Sequence, residues 1–387
     1  MKMKNGCKHI FMTVAMIALL TLLVPLSVAA SDGEADEGMP KEYGGFLDSL
    51  PDSVIEQLPD GICSENHEEV SAAAGQISSP TYFLRLLFDS FGASLGDMMP
   101  TLTVLCGVVI LSAVAYTVAS HFGAGTAKAI ELCAGLCAFG AISGLAITSL
   151  SRLQTYFSSL FSTVAAFLPL SGVLYAMGGN LTAAASTSAS LSVILTVAQF
   201  VCSYTVLPFF GVCLSLSLLS ALDGVGSLSG ASVSGLVKKW YTTALGFVMM
   251  LLTTSLGAQS LLAAKADGAA MRGAKFAVSG FVPITGGTVS STLGTLVASV
   301  ELLRGAVGVI GVVILLLMLI PVIVELAVVR GILGIAAFVA GMLGCGREQR
   351  LLSEIGSLYG YLEGVAALCS VIFIIAMSLL AITAAAV

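Results

Sequence analysis

Charge is what this chain has least of. Only 10% of its 387 residues are charged, against 57% hydrophobic, and its mean hydropathy is +1.02; a soluble domain carries ~25% charged residues. A chain so poor in charge cannot clothe a water-facing surface, so its solvent is lipid. The 16 Lys and Arg form no dense stripe, which excludes nucleic acid as a partner. Histidine is nearly missing: His9, His67 and His121 are the full set, and no two share a metal-ligand spacing. The sequence also lacks a phosphate-cradling Gly-rich loop, a Ser nucleophile elbow and a dinucleotide fingerprint. No enzyme activity, metal or cofactor is expected.

Nine cysteines are scattered, most of them inside apolar runs, where Cys behaves as a small hydrophobe. Cys133 and Cys137 sit four residues apart on one helix face with no third ligand nearby, and read as packing residues. Cys63 stands alone in a polar stretch, so no disulfide framework is implied.

The charge that exists is unevenly placed. Fourteen of the 22 acidic residues fall between Ser31 and Pro100, beside only Lys41 and Arg85. Ahead of them, Lys2, Lys4 and Lys8 precede an apolar run from Ile10 to Val24, then Pro25 and the small residues Ser27 to Ala30. That is the layout of a secretory signal, with cleavage expected near Ala30, because the run is short for a span of ~20 residues. Residues 31–80 form an acidic extracytoplasmic segment with short helices around Tyr43–Leu50 and Val54–Leu58. It is too short to bury much of a core of its own. Over 81–98, Leu84, Leu87, Phe88, Phe91 and Leu95 recur at helical spacing, with Arg85 and Asp89 placed to pair; this predicts an amphipathic helix at the interface.

From 101 to 387 apolar blocks alternate with short polar breaks. Spans are expected at Thr101–Ala119, Ala129–Ser149, Phe157–Met177, Leu191–Leu219, Tyr241–Ala263, Gly305–Val328, Gly331–Gly344 and Val365–Ala386, about 7–8 in all. In hydrocarbon every backbone polar group must be satisfied within the segment, and the blocks do not alternate like barrel strands, so they are helices. The fold class is all-α: a polytopic helical membrane protein with a cleaved signal peptide and a short acidic extracytoplasmic segment. Leu191–Leu219 carries Pro208 and is expected to kink or form a hairpin. Ile284–Val300 is less apolar and reads as a span, a re-entrant segment or a surface helix. With the acidic segment outside, Lys128, Arg347 and Arg350 fall inside, as the positive-inside rule asks; Lys238 and Lys239 fall outside, against it.

Lipid tails are as apolar as Leu, so helices in a membrane associate through close backbone contact. Among 42 Gly, Gly140 with Gly144, Gly226 with Gly230, and Gly305, Gly308 and Gly311 have the small-residue spacing for it. Charge inside a span marks a pathway or a pairing. Glu131 and Glu325 are the candidates, and Glu301 with Arg304 can pair on one turn.

One stretch carries more detail. Phe281-Val282-Pro283-Ile284-Thr285-Gly286-Gly287 is followed by a polar linker, then Arg304-Gly305-Ala306-Val307-Gly308-Val309-Ile310-Gly311 and an apolar run to Pro321. This resembles the stage III sporulation protein AE family, with its Phe-x-Pro-x-x-Gly-Gly stretch and a basic residue leading into Ala-Val-Gly-x-x-Gly. The general layout matches over most of the chain, the motifs only from Phe281 to Pro321. Where the family pattern has Lys this chain has Arg304, which keeps the charge and changes the contact geometry. The acidic segment matches no family motif. The resemblance implies a protein of the mother cell, in the outer membrane around the engulfed forespore. There it would belong to a channel or secretion-like complex with other stage III A sporulation proteins and, on the forespore side, stage II protein Q. It would act in late forespore development. Its assembly residues would be Phe281, Pro283, Gly286, Gly287, Arg304, Gly305, Gly308, Gly311 and Pro321. The competing reading is a stand-alone secondary transporter, with Pro208 and Pro283 marking broken helices.

Overall fold

The computed structural model describes residues 40–63, 80–119, 124–177, 181–222 and 286–385, with residues 70, 73 and 121 and parts of 236–255. The expected signal peptide, Phe281 and Pro283 lie outside these residues. Among the described residues the regular structure is helical throughout. Helices α1 (Lys41–Asp48) and α2 (Asp52–Ile55) and a 3-10 turn (Asp60–Cys63) precede five long elements. These are α3 (Pro80–Ala119), α4 (Ala124–Met177), α5 (Leu181–Val201) continued through a π turn (Cys202–Val206) into α6 (Leu207–Leu222), α7 (Gly286–Met342) and α8 (Gly346–Ala385).

Among the described residues the helices are longer than the apolar blocks. Blocks 129–149 and 157–177 lie on one 54-residue helix. The stretch from Gly286 on, with blocks 305–328 and 331–344, forms one 57-residue helix. The connecting residues explain this. Around Arg152 and Gln154, and between Glu325 and Arg330, every residue is compatible with a helix and no Gly-Pro break intervenes. The polar breaks are therefore polar turns of a continuing helix. Pro100, Pro169 and Pro321 lie inside helices; each forfeits one backbone hydrogen bond without ending its helix, as membrane helices tolerate. Pro208 neither kinks the fourth block into a hairpin nor stops it. Its missing N–H falls four residues after Tyr204, inside the π turn, where a wider turn relieves the ring's clash with the preceding carbonyl.

The core is the antiparallel hairpin of α7 and α8. Every residue from Ala306 to Ile320 is buried, wrapped by α8, α3 and α4. The hairpin turn closes α7 with a Schellman motif: Cys345 N–H donates to Ala340 O at 2.9 Å, Gly344 N–H donates to Gly341 O at 3.4 Å, and Gly344 takes φ +79°. That left-handed conformation suits a residue without a Cβ. Close approach falls at particular glycines. A Cβ on Gly311 would stand 3.1 Å from Met377 Sδ, and one on Gly172 would stand 3.2 Å from Ser188 Oγ. Gly140 and Gly144, expected to pack, face open space, and Cys133 and Cys137 are exposed rather than packed.

The acidic segment is less loose than its composition suggests. Tyr43, Phe46, Leu50, Val54, Leu58 and Ile62 are all buried. Too short for its own core, the segment uses the bundle's: Phe46 meets Phe167 of α4 edge-on at 5.7 Å, and the Tyr82 hydroxyl donates to Gln57 O at 2.8 Å. The amphipathic stretch 81–98 is the first half of α3, continuous with the block after it. Its Leu84, Phe88, Phe91 and Leu95 are exposed, and Arg85 pairs with Asp89 at 3.8 Å.

Candidate functional site

Halfway along the bundle, charges that the sequence places at block edges meet across helices. Arg152 of α4 donates through Nη1 to Glu325 Oε1 of α7 at 2.8 Å. Five residues on, Arg330 of α7 donates through Nη1 to Glu363 Oε2 of α8 at 3.4 Å. The Glu363 side chain is only 5% exposed. Gly360 makes room for this second pair, since a Cβ there would stand 2.7 Å from Arg330 Nη1. Hydroxyls extend the layer. Tyr359 of α8 donates to Ser149 Oγ of α4 at 3.3 Å, and the Tyr156 hydroxyl is hydrogen-bonded to Ser370 Oγ between the same helices. On the chain, Pro321 stands one turn before Glu325, so the Leu317 carbonyl lacks its usual helical donor beside the charged turn.

A second polar point lies at the hairpin end. The Tyr116 hydroxyl of α3 donates to Glu348 Oε1 at 2.5 Å, while Glu348 Oε2 is buried with no hydrogen-bond partner. Burial, and then the Glu348 carboxylate, push the neighbouring Cys345 thiol up, so it stays a neutral, unreactive packing group.

Chemically the layer is a set of interhelical fasteners. The Glu363 carboxylate is almost dry, and taking Arg330 away would break a buried ion pair, a change of on the order of 3–5 kcal/mol. The Arg152 guanidinium is half in solvent, and its pair contributes on the order of 0–1 kcal/mol. Among the described residues no group of three or more His, Cys, Asp or Glu is placed to hold a metal ion.

Of the residues singled out from the sequence, Gly286 and Gly287 open α7, Gly308 and Gly311 are buried along it, and Pro321 lies within it. Gly305 is half-buried. Phe281 and Pro283 fall outside the described residues, as do the side chains of Glu131, Glu301 and Arg304. Glu325, placed near a span end by hydropathy, is instead paired in mid-helix. Arg152, Arg330 and Glu363 lie between or just ahead of the apolar blocks, where hydropathy does not single them out. The signal that finds them is opposite charge recurring at the joints between apolar blocks on three helices.

Five described helices are long and apolar enough to cross a membrane, Thr81–Ala119, Cys133–Met177, Ser188–Leu216, Gly305–Met342 and Gly346–Ser378, and together they define a multi-pass helical membrane protein. A family model for stage III sporulation protein AE matches residues 69–384. The chain belongs to the stage III sporulation protein AE family. It is similar to the stage III sporulation protein AE of Bacillus subtilis (strain 168), 23% identical over 225 residues. That match takes in 57% of this chain and spans about half, 55%, of the relative's length. No solved structure matches.

Proposed function

We propose that this protein is a membrane subunit of the channel or secretion-like complex that links mother cell and forespore, and that it is required for late forespore development. The observation that carries the reading is the family match over 69–384 on a multi-pass helical chain. The described surface fits a chain that works through neighbours. Outside the α7–α8 core, large apolar side chains such as Phe200, Tyr204 and Val212 on α5 to α6 are exposed, and the polar groups in the core fasten helices to one another.

In this proposal the chain sits in the mother-cell-derived membrane around the forespore. Its partners are lipid, other stage III A sporulation proteins and, across the intermembrane space, stage II protein Q. It has no catalytic role. Gly286 and Gly287, at the mouth of the central helix, belong to the assembly element together with Arg304.

The test is isolation of the tagged full-length protein from sporulating cells, as wild type and with both Gly286→Leu and Gly287→Leu. Wild type is expected to bring stage III A proteins with it, and the double variant to lose them and to block spore formation. A wild-type protein that purifies alone and binds a small solute, with normal sporulation in the variant strain, would establish the stand-alone transporter instead.

A further inference from the structure

The long helices carry more apolar length than one bilayer can take. At 1.5 Å per residue α4 is roughly 80 Å long, against a hydrocarbon core of ~30 Å. The charged layer divides this length into two halves, and each half is about one bilayer thick. The question is which half lipid surrounds.

Three observations agree. The first is the spacing of charge. On α4 the helix runs 24 residues from Lys128 to Arg152, and on α3 it runs 22 from Asp97 to Ala119, about 36 Å and 33 Å. Each is one hydrocarbon core with its ends in the headgroups. On α7, 17 residues separate Glu325 from Met342, about 26 Å, before the hairpin turn that leads to Arg347 and Arg350. The outer wall of this half exposes Val104, Ile110, Leu111, Leu136 and Ile147.

The second is the docked acidic segment. Phe46 sits on Phe167, 15 residues and about 22 Å along α4 from Arg152, in the other half. Lys41, Asp48, Asp52 and Glu56 are exposed on that segment. On α3, 12 residues from Asp97 into the same half, Arg85 is 86% exposed and Asp89 74%. A bilayer around this half would hold all these charges in hydrocarbon, where each is costly. The apolar residues of α7 in this half do not ask for lipid, because Ala306 to Ile320 are already covered by protein.

The third is sign. Lys128, Arg347 and Arg350 stand at one end and the acidic segment beyond the other, the arrangement the positive-inside rule gives for a cytoplasmic hairpin turn.

We propose that the bilayer encircles the half of the bundle between the Arg152–Glu325 layer and the Arg347–Arg350 turn. The other half, with Phe157–Met177 of α4 and the acidic segment docked on it, stands clear of the hydrocarbon on the extracytoplasmic side. The apolar block Phe157–Met177 is then a protein-facing element, not a membrane crossing.

The experiment uses the full-length protein in lipid nanodiscs. Wild type is photolabelled from a phospholipid with a diazirine in its acyl chain, and the labelled peptides are mapped. Labels are expected on 104–118 and 129–147 at least tenfold above 157–177 and 40–60. In parallel, nitroxides are placed at Leu136→Cys and Ser158→Cys in a cysteine-free variant that still supports sporulation. Collisions with dissolved oxygen should dominate at the first site, and collisions with a water-soluble nickel chelate at the second. Acyl labelling of 157–177 equal to that of 104–147, or oxygen-dominated collisions at Ser158→Cys, overturns the placement.

Discussion

Helices α3 and α7 are both strongly apolar, and both qualify as membrane-crossing helices. Yet α7 is buried along most of its described length, while α3 exposes Val104, Ile110, Leu111, Val114 and Val118. The hydropathy of a segment therefore says that it avoids water, not whether lipid or protein receives it. What separates the two is the company that each helix keeps. Helix α7 has small residues where α8 must approach, Gly311 against Met377, and charges that answer charges on its neighbours, Glu325 to Arg152 and Arg330 to Glu363. On α3 the polar contacts that reach the hairpin turn are few among the described residues: the Tyr116 hydroxyl donates to Glu348, and the Val109 carbonyl accepts from the Cys345 thiol.

That contrast can be broken by mutation. Truncating Phe373→Ala, fully buried on α8 and edge-on to Phe161 at 6.2 Å, should lower stability in a detergent unfolding titration by about 3–5 kcal/mol. The equally drastic Leu111→Ala on the exposed face of α3 should change it by less than about 0.5 kcal/mol. Equal losses would mean that α3 is as enclosed as the α7–α8 core.

Next in size, Arg330→Leu should cost on the order of 3 kcal/mol, and the double change Arg330→Leu with Glu363→Leu should recover most of it, since two apolar groups then replace a broken ion pair. A double variant no better than the single one would show that the pair does not hold α7 to α8. Gly311→Leu forces Met377 aside and should cost about 1–3 kcal/mol. Gly140→Leu, with nothing within 4 Å, should fall within about 0.5 kcal/mol of wild type by the same titration. Below the Arg330 and Gly311 changes, Arg152→Ala removes a half-exposed partner and should cost no more than about 1 kcal/mol.

Much of the architecture is legible in the sequence because its cause is local. Runs of apolar residues with no charge have to be helices in lipid, and Gly344 after an apolar run marks a turn. The joints between blocks are harder to read. A polar break such as Ser149 to Gln154 looks like a loop by hydropathy, yet the helix runs through it, and its Arg152 meets Glu325, 173 residues away in the chain. The charged layer is hidden for the same reason: each member is unremarkable until its partner is known. The acidic segment shows the opposite failure, for its short length excludes a core of its own but not a borrowed one. The Phe281 to Pro321 motif carries the family by its letters, while the packing role of Gly311 depends on where Met377 falls.

The account rests on α8 packing against the core and against the turn between α5 and α6. Buried at that contact, Cys202 of the π turn and Cys369 of α8 hold their Sγ atoms 3.8 Å apart. Mild oxidation of the full-length protein in membranes with copper-phenanthroline tests this directly, followed by peptide mass mapping under non-reducing conditions. A 202–369 disulfide should form, and it should vanish in Cys202→Ser. Absence of that linkage, with Cys202 and Cys369 both recovered as unlinked peptides, would contradict the helix packing on which the charged layer and the buried core both depend.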